Sequence, residues 1–223
     1  MQEYWPKRRF TRYPIVLPLL HRSKAPAAST AGVGWTSDLS GGGAGVRLAQ
    51  QLRPQDSLHV RLQTDCGPIE GEAQVVWAGE PDLEGGGILH GVAFTQLPPH
   101  QLQPLRNLLV SQRSWWHPRD RLPVDLPVAC GLQRRPGPAL QGRTGNISRG
   151  GLLLLLPQVL PPGTALEVTL HTPTGPLTAA GTVIWGEPRG RQPQGRPTRH
   201  GVRFTSLPWT TSLALARFLA GRR

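Results

Sequence analysis

Apolar and polar positions alternate in short runs along this chain. Leu166-Glu167-Val168-Thr169-Leu170 alternates at every step and Val60-Arg61-Leu62-Gln63-Thr64 nearly so, the period-two pattern of a half-buried strand. Turn-forming residues join each run to a returning partner. Asp65-Cys66-Gly67-Pro68 leads from the earlier run to residues 72–77, and Thr172-Pro173-Thr174-Gly175 leads from the later one to residues 182–185. Helical spacing of apolar side chains occurs twice, at Leu102, Leu105, Leu108 and Leu109 after Pro98-Pro99, and at Leu213, Leu215, Phe218 and Leu219 after Pro208. A proline near each start, with Thr or Ser caps, fits a helix there. Around six short strands in about 100 residues, ended by a helix, predict an all-β-dominated fold in which a small antiparallel barrel leaves no exposed edges.

The pattern occurs in two copies. Asp38-Leu39-Ser40-Gly41-Gly42-Gly43 has its counterpart in Asn146-Ile147-Ser148-Arg149-Gly150-Gly151, and Val75-Val76-Trp77 in Val183-Ile184-Trp185, both at an offset of 108. His90-Gly91-Val92-Ala93-Phe94 returns as His200-Gly201-Val202-Arg203-Phe204 at 110, and Arg12-Tyr13-Pro14 as Arg121-Leu122-Pro123 at 109. Blocks in one order with nearly constant offset mark a tandem duplication.

Composition narrows the classes. Of 223 residues 38% are hydrophobic, enough for packed cores, while 27 Gly and 24 Pro favour short elements and frequent corners. The longest apolar runs, residues 15–20 and 152–156, fall far short of the ~20 residues of a membrane-spanning helix. Residues 1–9 lack the apolar stretch of a secretory signal. Only Cys66 and Cys130 are present, and the seven His never fall at HxxxH spacing. The expectation is a cytoplasmic protein with no metal, no cofactor and no membrane insertion. GxSxG, GxxxxGK[ST] and HExxH are all missing, so no enzyme is expected. Charge is concentrated: residues 1–110 hold 10 basic and 9 acidic side chains, residues 111–223 hold 15 and 4.

Two groups of residues suggest an anion site. Arg8, Arg9 and Arg12 lie within five residues and cannot be buried together without matching carboxylates. Asp38 and Ser40, two apart on an extended segment, point the same way, and Gly41-Gly42-Gly43 permits tight turning and close backbone approach. Arginine forks clamp phosphate or lie on guanine O6 and N7, while a carboxylate accepts from guanine's amino and imino groups. Turn formation by the Asp38 and Ser40 side chains is the competing reading.

RxxxR at Arg8 and Arg12, then DxSxxG at Asp38, Ser40 and Gly43, then GVxF at Gly91, Val92 and Phe94, together resemble the PilZ family. The resemblance covers both copies. It implies two tandem six-stranded antiparallel β-barrels, each followed by a C-terminal helix, over residues 1–113 (with the N-terminal arginine loop) and 114–223. It also implies a receptor for cyclic di-GMP, with Arg8, Arg9 and Arg12 as clamp and Asp38, Ser40 and Gly43 as cradle. Binding would change the receptor's conformation and signal to a protein partner controlling motility, pili or exopolysaccharide.

The second copy departs from the pattern. Asn146, Ser148, Gly151 and Arg121 are in place, but His117 stands where the first clamp arginine is expected and Arg119 is out of register. Losing one charged fork costs roughly 1–3 kcal/mol, so a weaker second site is expected. Two alternatives remain: nucleic-acid binding by the basic second half, and a degenerate adaptor that binds only proteins. Trp77 and Trp185 are expected to fill barrel cores, with no exposed aromatic stacking platform. His90 and His200 are expected to be hydrogen-bonded strand ends, Trp115 and Trp116 to pack the barrels, and the five arginines from Arg189 to Arg203 to decorate a solvated hairpin tip.

Overall fold

Alternation becomes sidedness in the computed structural model, which describes residues 10–24, 31–82, 86–111, 121–133, 137–188 and 196–222. Leu58, Val60 and Leu62 point into a core, while His59 between them is exposed. Arg8, Arg9, Trp115, Trp116, His117 and Arg119 lie outside the described residues. The chain divides into two compact units, Met1–Arg119 and Asp120–Arg223.

In the first unit the strands are β1 (Pro18–Ser23), β2 (Ala31–Ser40), β3 (Gly43–Leu48), β4 (Ser57–Thr64), β5 (Gly67–Pro81) and β6 (Ile88–Gln96), followed by helix α1 (Pro99–Ser111). They form a closed barrel in the order β1-β2-β3-β6-β5-β4, all neighbours antiparallel, with β1 closing on β4 through Leu19↔Leu62. Closure leaves no unpaired edge for another chain to extend. Leu17, Leu19, Leu39, Val46 and Val92 fill the interior together with Leu105 and Leu108 of α1. Leu102, expected on the same helix face, is 39% exposed.

The second unit repeats the plan. A two-residue strand β7 (Leu122–Pro123) precedes β8 (Pro127–Leu132), β9 (Leu140–Ser148), β10 (Gly151–Leu156), β11 (Ala165–Thr172), β12 (Gly175–Gly186), β13 (Thr198–Ser206) and helix α2 (Trp209–Ala220). Six strands close through the extra β9–β10 pairing, and β7 adds to β9 outside the ring. In the first unit a single bridge, Tyr13↔Leu39, stands where β7 pairs. The expected hydroxyl cap is not used at α2: Pro208 occupies the N-cap and makes no side-chain cap hydrogen bond.

Polar side chains inside each barrel fix its corners. Thr36 Oγ1 donates to the Ile15 carbonyl (2.6 Å) and accepts from Leu17 N–H (2.8 Å). Its counterpart Thr144 makes the same two bonds to Val124 and Leu126. These threonines tie the segment that enters each barrel to the strand carrying the DxSxxG or NxSxxG residues. His90 is fully buried, its Nδ1 faces the Ile88 carbonyl at 3.0 Å and its Nε2 accepts from Leu52 N–H at 3.0 Å. An Nε2 that accepts carries no proton, so the ring is neutral, consistent with burial lowering its pKa. His200 Nε2 accepts from Leu160 N–H in the same way. Both rings are internal pins, not strand ends.

His21 is 3% exposed, and burial with the nearby His90 lowers its pKa from 6.5 to about 4. The unfolded chain therefore binds a proton below pH 6.5 that the folded barrel refuses until about pH 4. Stability is full above pH 6.5 and falls across that interval, by a few kcal/mol at most. Denaturant unfolding followed between pH 7 and 4 should show this decline, and His21→Phe should flatten it. An equally steep slope in the variant would assign the decline to other groups.

Candidate functional site

Strand β2 would place Asp38 in the core if it alternated without interruption, because Thr36 faces inward. The β2–β3 register shifts between Thr36 and Asp38, leaving Ser37 as the extra residue. Such a bulge reverses which face the following side chains take. Leu39 then points inward, fully buried, while Asp38 and Ser40 lie opposite Gly45 and Gly43 on the outer side.

Asp38 is held from two directions. Its Oδ1 accepts from Arg12 Nη1 at 3.1 Å and from Gly45 N–H at 3.2 Å. A β-carbon at Gly45 would lie 2.6 Å from Asp38 Oδ2, so the carboxylate rests in space that only glycine leaves open. The Arg12 and Asp38 side chains are 35% and 30% exposed. An ion pair that wet contributes at most about 1 kcal/mol to stability. Arg12 is thereby aimed by Asp38 yet cheap to release to a stronger anion.

Ser40 is 4% exposed. Its Oγ donates to the Gly43 carbonyl (3.0 Å) and accepts from Gly42 N–H (3.4 Å), closing the two-residue turn between β2 and β3. The local turn role of Ser40 is therefore present in the structure. Phe10 covers this turn: β-carbons at Gly41 and Gly42 would meet its ring at 3.2 and 2.6 Å. At Gly43 a β-carbon would sit 2.1 Å from the Val92 carbonyl oxygen, so this glycine lets β3 and β6 approach.

These elements border a cavity of about 230 Å³ lined by Phe10, Arg12, Ser40, Gly43, Trp77 and Gly91 among others. It is smaller than the ~300–1,000 Å³ of pockets that enclose a whole small ligand, so a larger ligand would seat one portion here. Trp77 corrects the expectation of a core residue, being 40% exposed beside Val76 at 57%. The β5–β6 register shifts between Val75 and Trp77, so Val75 stays inside and the next two side chains both emerge. The indole lies across Gly91, where a β-carbon would fall 2.1 Å from Nε1. The pairing of that glycine with an outward tryptophan is a signal the sequence held in both copies.

Around β9 the second barrel keeps the turn and changes the acid. Ser148 Oγ donates to the Gly151 carbonyl and accepts from Gly150 N–H, both at 3.3 Å, and a β-carbon at Gly151 would lie 2.1 Å from the Val202 carbonyl oxygen. Asn146 pairs across to Leu153, where the first barrel has Gly45. Its Oδ1 is buried without a hydrogen-bond partner, and Arg121 is exposed. Trp185 corrects the same expectation as Trp77. It is 44% exposed and lies over Gly201.

Remaining chemistry is sparse among the described residues. No group of three or more His, Cys, Asp or Glu is placed to hold a metal ion. Glu70 pairs with Arg61 at 3.4 Å and Glu72 with Lys24 at 2.6 Å. Cys130 is buried, which raises its thiol pKa to about 12 and leaves it protonated. No helix there is long and apolar enough to cross a membrane.

Residues 6–111 and 114–221 each match the PilZ domain. The chain belongs to the PilZ domain family. No curated protein matches it in sequence. Among solved structures it is similar to the Bacillus subtilis inhibitor of motility MotI/DgrA, at 11% identity over 93% of this chain and 95% of that one, with a TM-score of 0.38. It is also similar to the Borreliella burgdorferi PlzA protein in complex with c-di-GMP, at 11% identity over 92% and 88%, TM-score 0.38. The PilZ domain of Escherichia coli YcgR with c-di-GMP matches at 19% identity over 48% of this chain and 92% of that domain, TM-score 0.39. Both PilZ regions carry the Ser–Gly turn, and the first also carries the Arg12–Asp38 pair.

Proposed function

We propose that the first PilZ barrel is a receptor for cyclic di-GMP and that the chain is a cytoplasmic effector acting by binding, without catalysis. The observation that carries this reading is the Arg12–Asp38 pair at the rim of a cavity bounded by Phe10 and Trp77. A cyclic dinucleotide offers two phosphates and two flat bases, and the rim offers a guanidinium, a carboxylate and two exposed rings. On binding, Arg12 exchanges Asp38 for phosphate, a charge-assisted contact, and the freed carboxylate accepts from guanine N–H groups. Arg8 and Arg9 complete the clamp, and Gly43 supports the cradle by letting β3 and β6 approach behind it. The move of Arg12 from Asp38 to phosphate is the change a protein partner reads. In the second barrel Arg121, Asn146, Ser148 and Gly151, with His117 and Arg119, form a weaker counterpart.

Calorimetric titration of the full chain with cyclic di-GMP should give micromolar or tighter binding that weakens with salt, because phosphate neutralisation is screened. Trp77→Ala should weaken it about tenfold or more, the range of a lost base–aromatic stack. No heat and no thermal shift at high ligand would end the receptor reading, and full affinity in Trp77→Ala would remove that residue from the site.

A further inference from the structure

The outer faces of the two barrels differ at equivalent positions around an equivalent tryptophan. Along β6 the side chains flanking Gly91 on the outside are Leu89 and Ala93, and along β13 those flanking Gly201 are Arg199 and Arg203. At the turn ahead of β3 the first barrel has Gly41, and ahead of β10 the second has Arg149. Arg121 precedes β7 as Arg12 precedes the Tyr13 bridge, but the carboxylate of Asp38 is replaced by the neutral Asn146. Three uncharged positions thus become arginine and the carboxylate of Asp38 is lost, while one acid, Glu187, lies beside Arg199 with its Oε2 accepting from the Arg199 N–H at 3.4 Å. Arg149 stands over the Trp209 ring at 5.9 Å, a cation–π contact that orients its guanidinium. Arg121, Arg199 and Arg203 are all exposed, and so are Trp185 at 44% and Ile184 at 45%.

We infer that this face of the second barrel binds single-stranded nucleic acid, with Trp185 as a stacking platform and Arg121, Arg149, Arg199 and Arg203 along the phosphates. Arg199 and Arg203 lie four residues apart on one strand, about 13 Å along it, with Trp185 over the glycine midway between them. A linear run of cations on both sides of a flat ring suits a chain with repeating phosphates. The ring needs an unpaired base to stack on, which a duplex does not present along its sides. The inference stands apart from the dinucleotide site of the first barrel, and it shares only Arg121 with the weaker counterpart proposed in the second.

The test is fluorescence anisotropy of labelled single-stranded DNA and RNA oligonucleotides with the full chain across a salt series. Binding should be micromolar or tighter at low salt. Restoring the first barrel's residues together (Arg149→Gly, Arg199→Leu, Arg203→Ala) should flatten the salt slope by about 2, close to 0.7 per cation removed from a single strand. Trp185→Ala should weaken binding about tenfold with the slope unchanged, since stacking carries no counterions. Arg12→Ala should leave oligonucleotide binding as it was. Thermal melts accompany each variant, and any that unfolds is replaced by Trp185→Leu or the single arginine changes. No anisotropy change, or binding indifferent to both Trp185→Ala and the triple variant, overturns the inference. Heparin binding with equal affinity and no effect of Trp185→Ala overturns it as well, reducing the face to unspecific charge. Displacement of the oligonucleotide by cyclic di-GMP that survives Arg12→Ala would instead make this face a second dinucleotide site.

Discussion

Arg12→Ala should weaken cyclic di-GMP binding by about a hundredfold or more while moving the melting temperature by only a few degrees. The two halves of that expectation have separate causes. The Arg12–Asp38 pair is about one-third exposed on each side, and a pair so wet holds the fold by at most about 1 kcal/mol. In the proposed complex the same guanidinium meets a phosphate, where charge-assisted bonds are worth roughly 1.5–3 kcal/mol. In Arg12→Ala the Asp38 carboxylate, still fixed by Gly45 N–H at 3.2 Å, keeps its part of the proposed site as acceptor for guanine N–H groups. Arg12→Ala combined with Asp38→Asn should therefore bind more weakly than Arg12→Ala alone. Arg12→Lys keeps the charge but not the fork and should recover only part of the affinity. Calorimetry on the four proteins decides it: an Arg12→Ala affinity within about threefold of the parent would show that Arg12 is not a clamp residue. A large fall in melting temperature would move its role from ligand to fold.

Much of the architecture was legible because it rests on short-range patterns. The strict alternation of residues 166–170, the turns at 65–68 and 172–175 and the offset of 108 between copies each correspond to observed elements. What the pattern could not show is where alternation breaks. The bulge at Ser37 turns Asp38 outward, and the break between Val75 and Trp77 turns an apparent core tryptophan into a cavity wall. A bulge is one unpaired residue in a ladder whose partner is distant in sequence, so period counting within a strand does not see it. Thr36 and His90 were equally silent, since their partners Ile15, Leu17 and Leu52 lie 21, 19 and 38 residues away. The arginines of the second barrel carry a signal of their own in the comparison of the two copies. Arg149 and Arg203 fall inside the matched blocks, opposite Gly41 and Ala93. Aligning the copies for differences would have set them apart from the general arginine richness of that half. Of the five arginines expected at a hairpin tip, Arg199 and Arg203 lie on strand β13.

Gly43→Ala separates the two uses of the DxSxxG segment. Asp38 faces the rim and Ser40 closes the turn, but Gly43 serves the sheet, because a β-carbon there would stand 2.1 Å from the Val92 carbonyl oxygen. That neighbour is backbone of β6 near the end of the β3–β6 ladder, where Gly43 pairs with Ala93 and Ala44 with Val92, and it cannot yield as a flexible side chain would. Either the ladder opens or β6 shifts, and overpacking of this kind costs about 1–3 kcal/mol or more. For a domain of this size each kcal/mol is worth roughly 4–8 °C, so the first barrel should melt about 10 °C or more below the parent. Gly151→Ala meets the Val202 carbonyl at the same 2.1 Å and should lower the second barrel's transition equally. The pair of variants then sorts fold from site. Gly151→Ala should keep full dinucleotide affinity in the first barrel, and Gly43→Ala should lose it only as that barrel unfolds. A Gly43→Ala protein that melts normally yet fails to bind would mean that the glycine's missing side chain is room for the ligand and not for Val92.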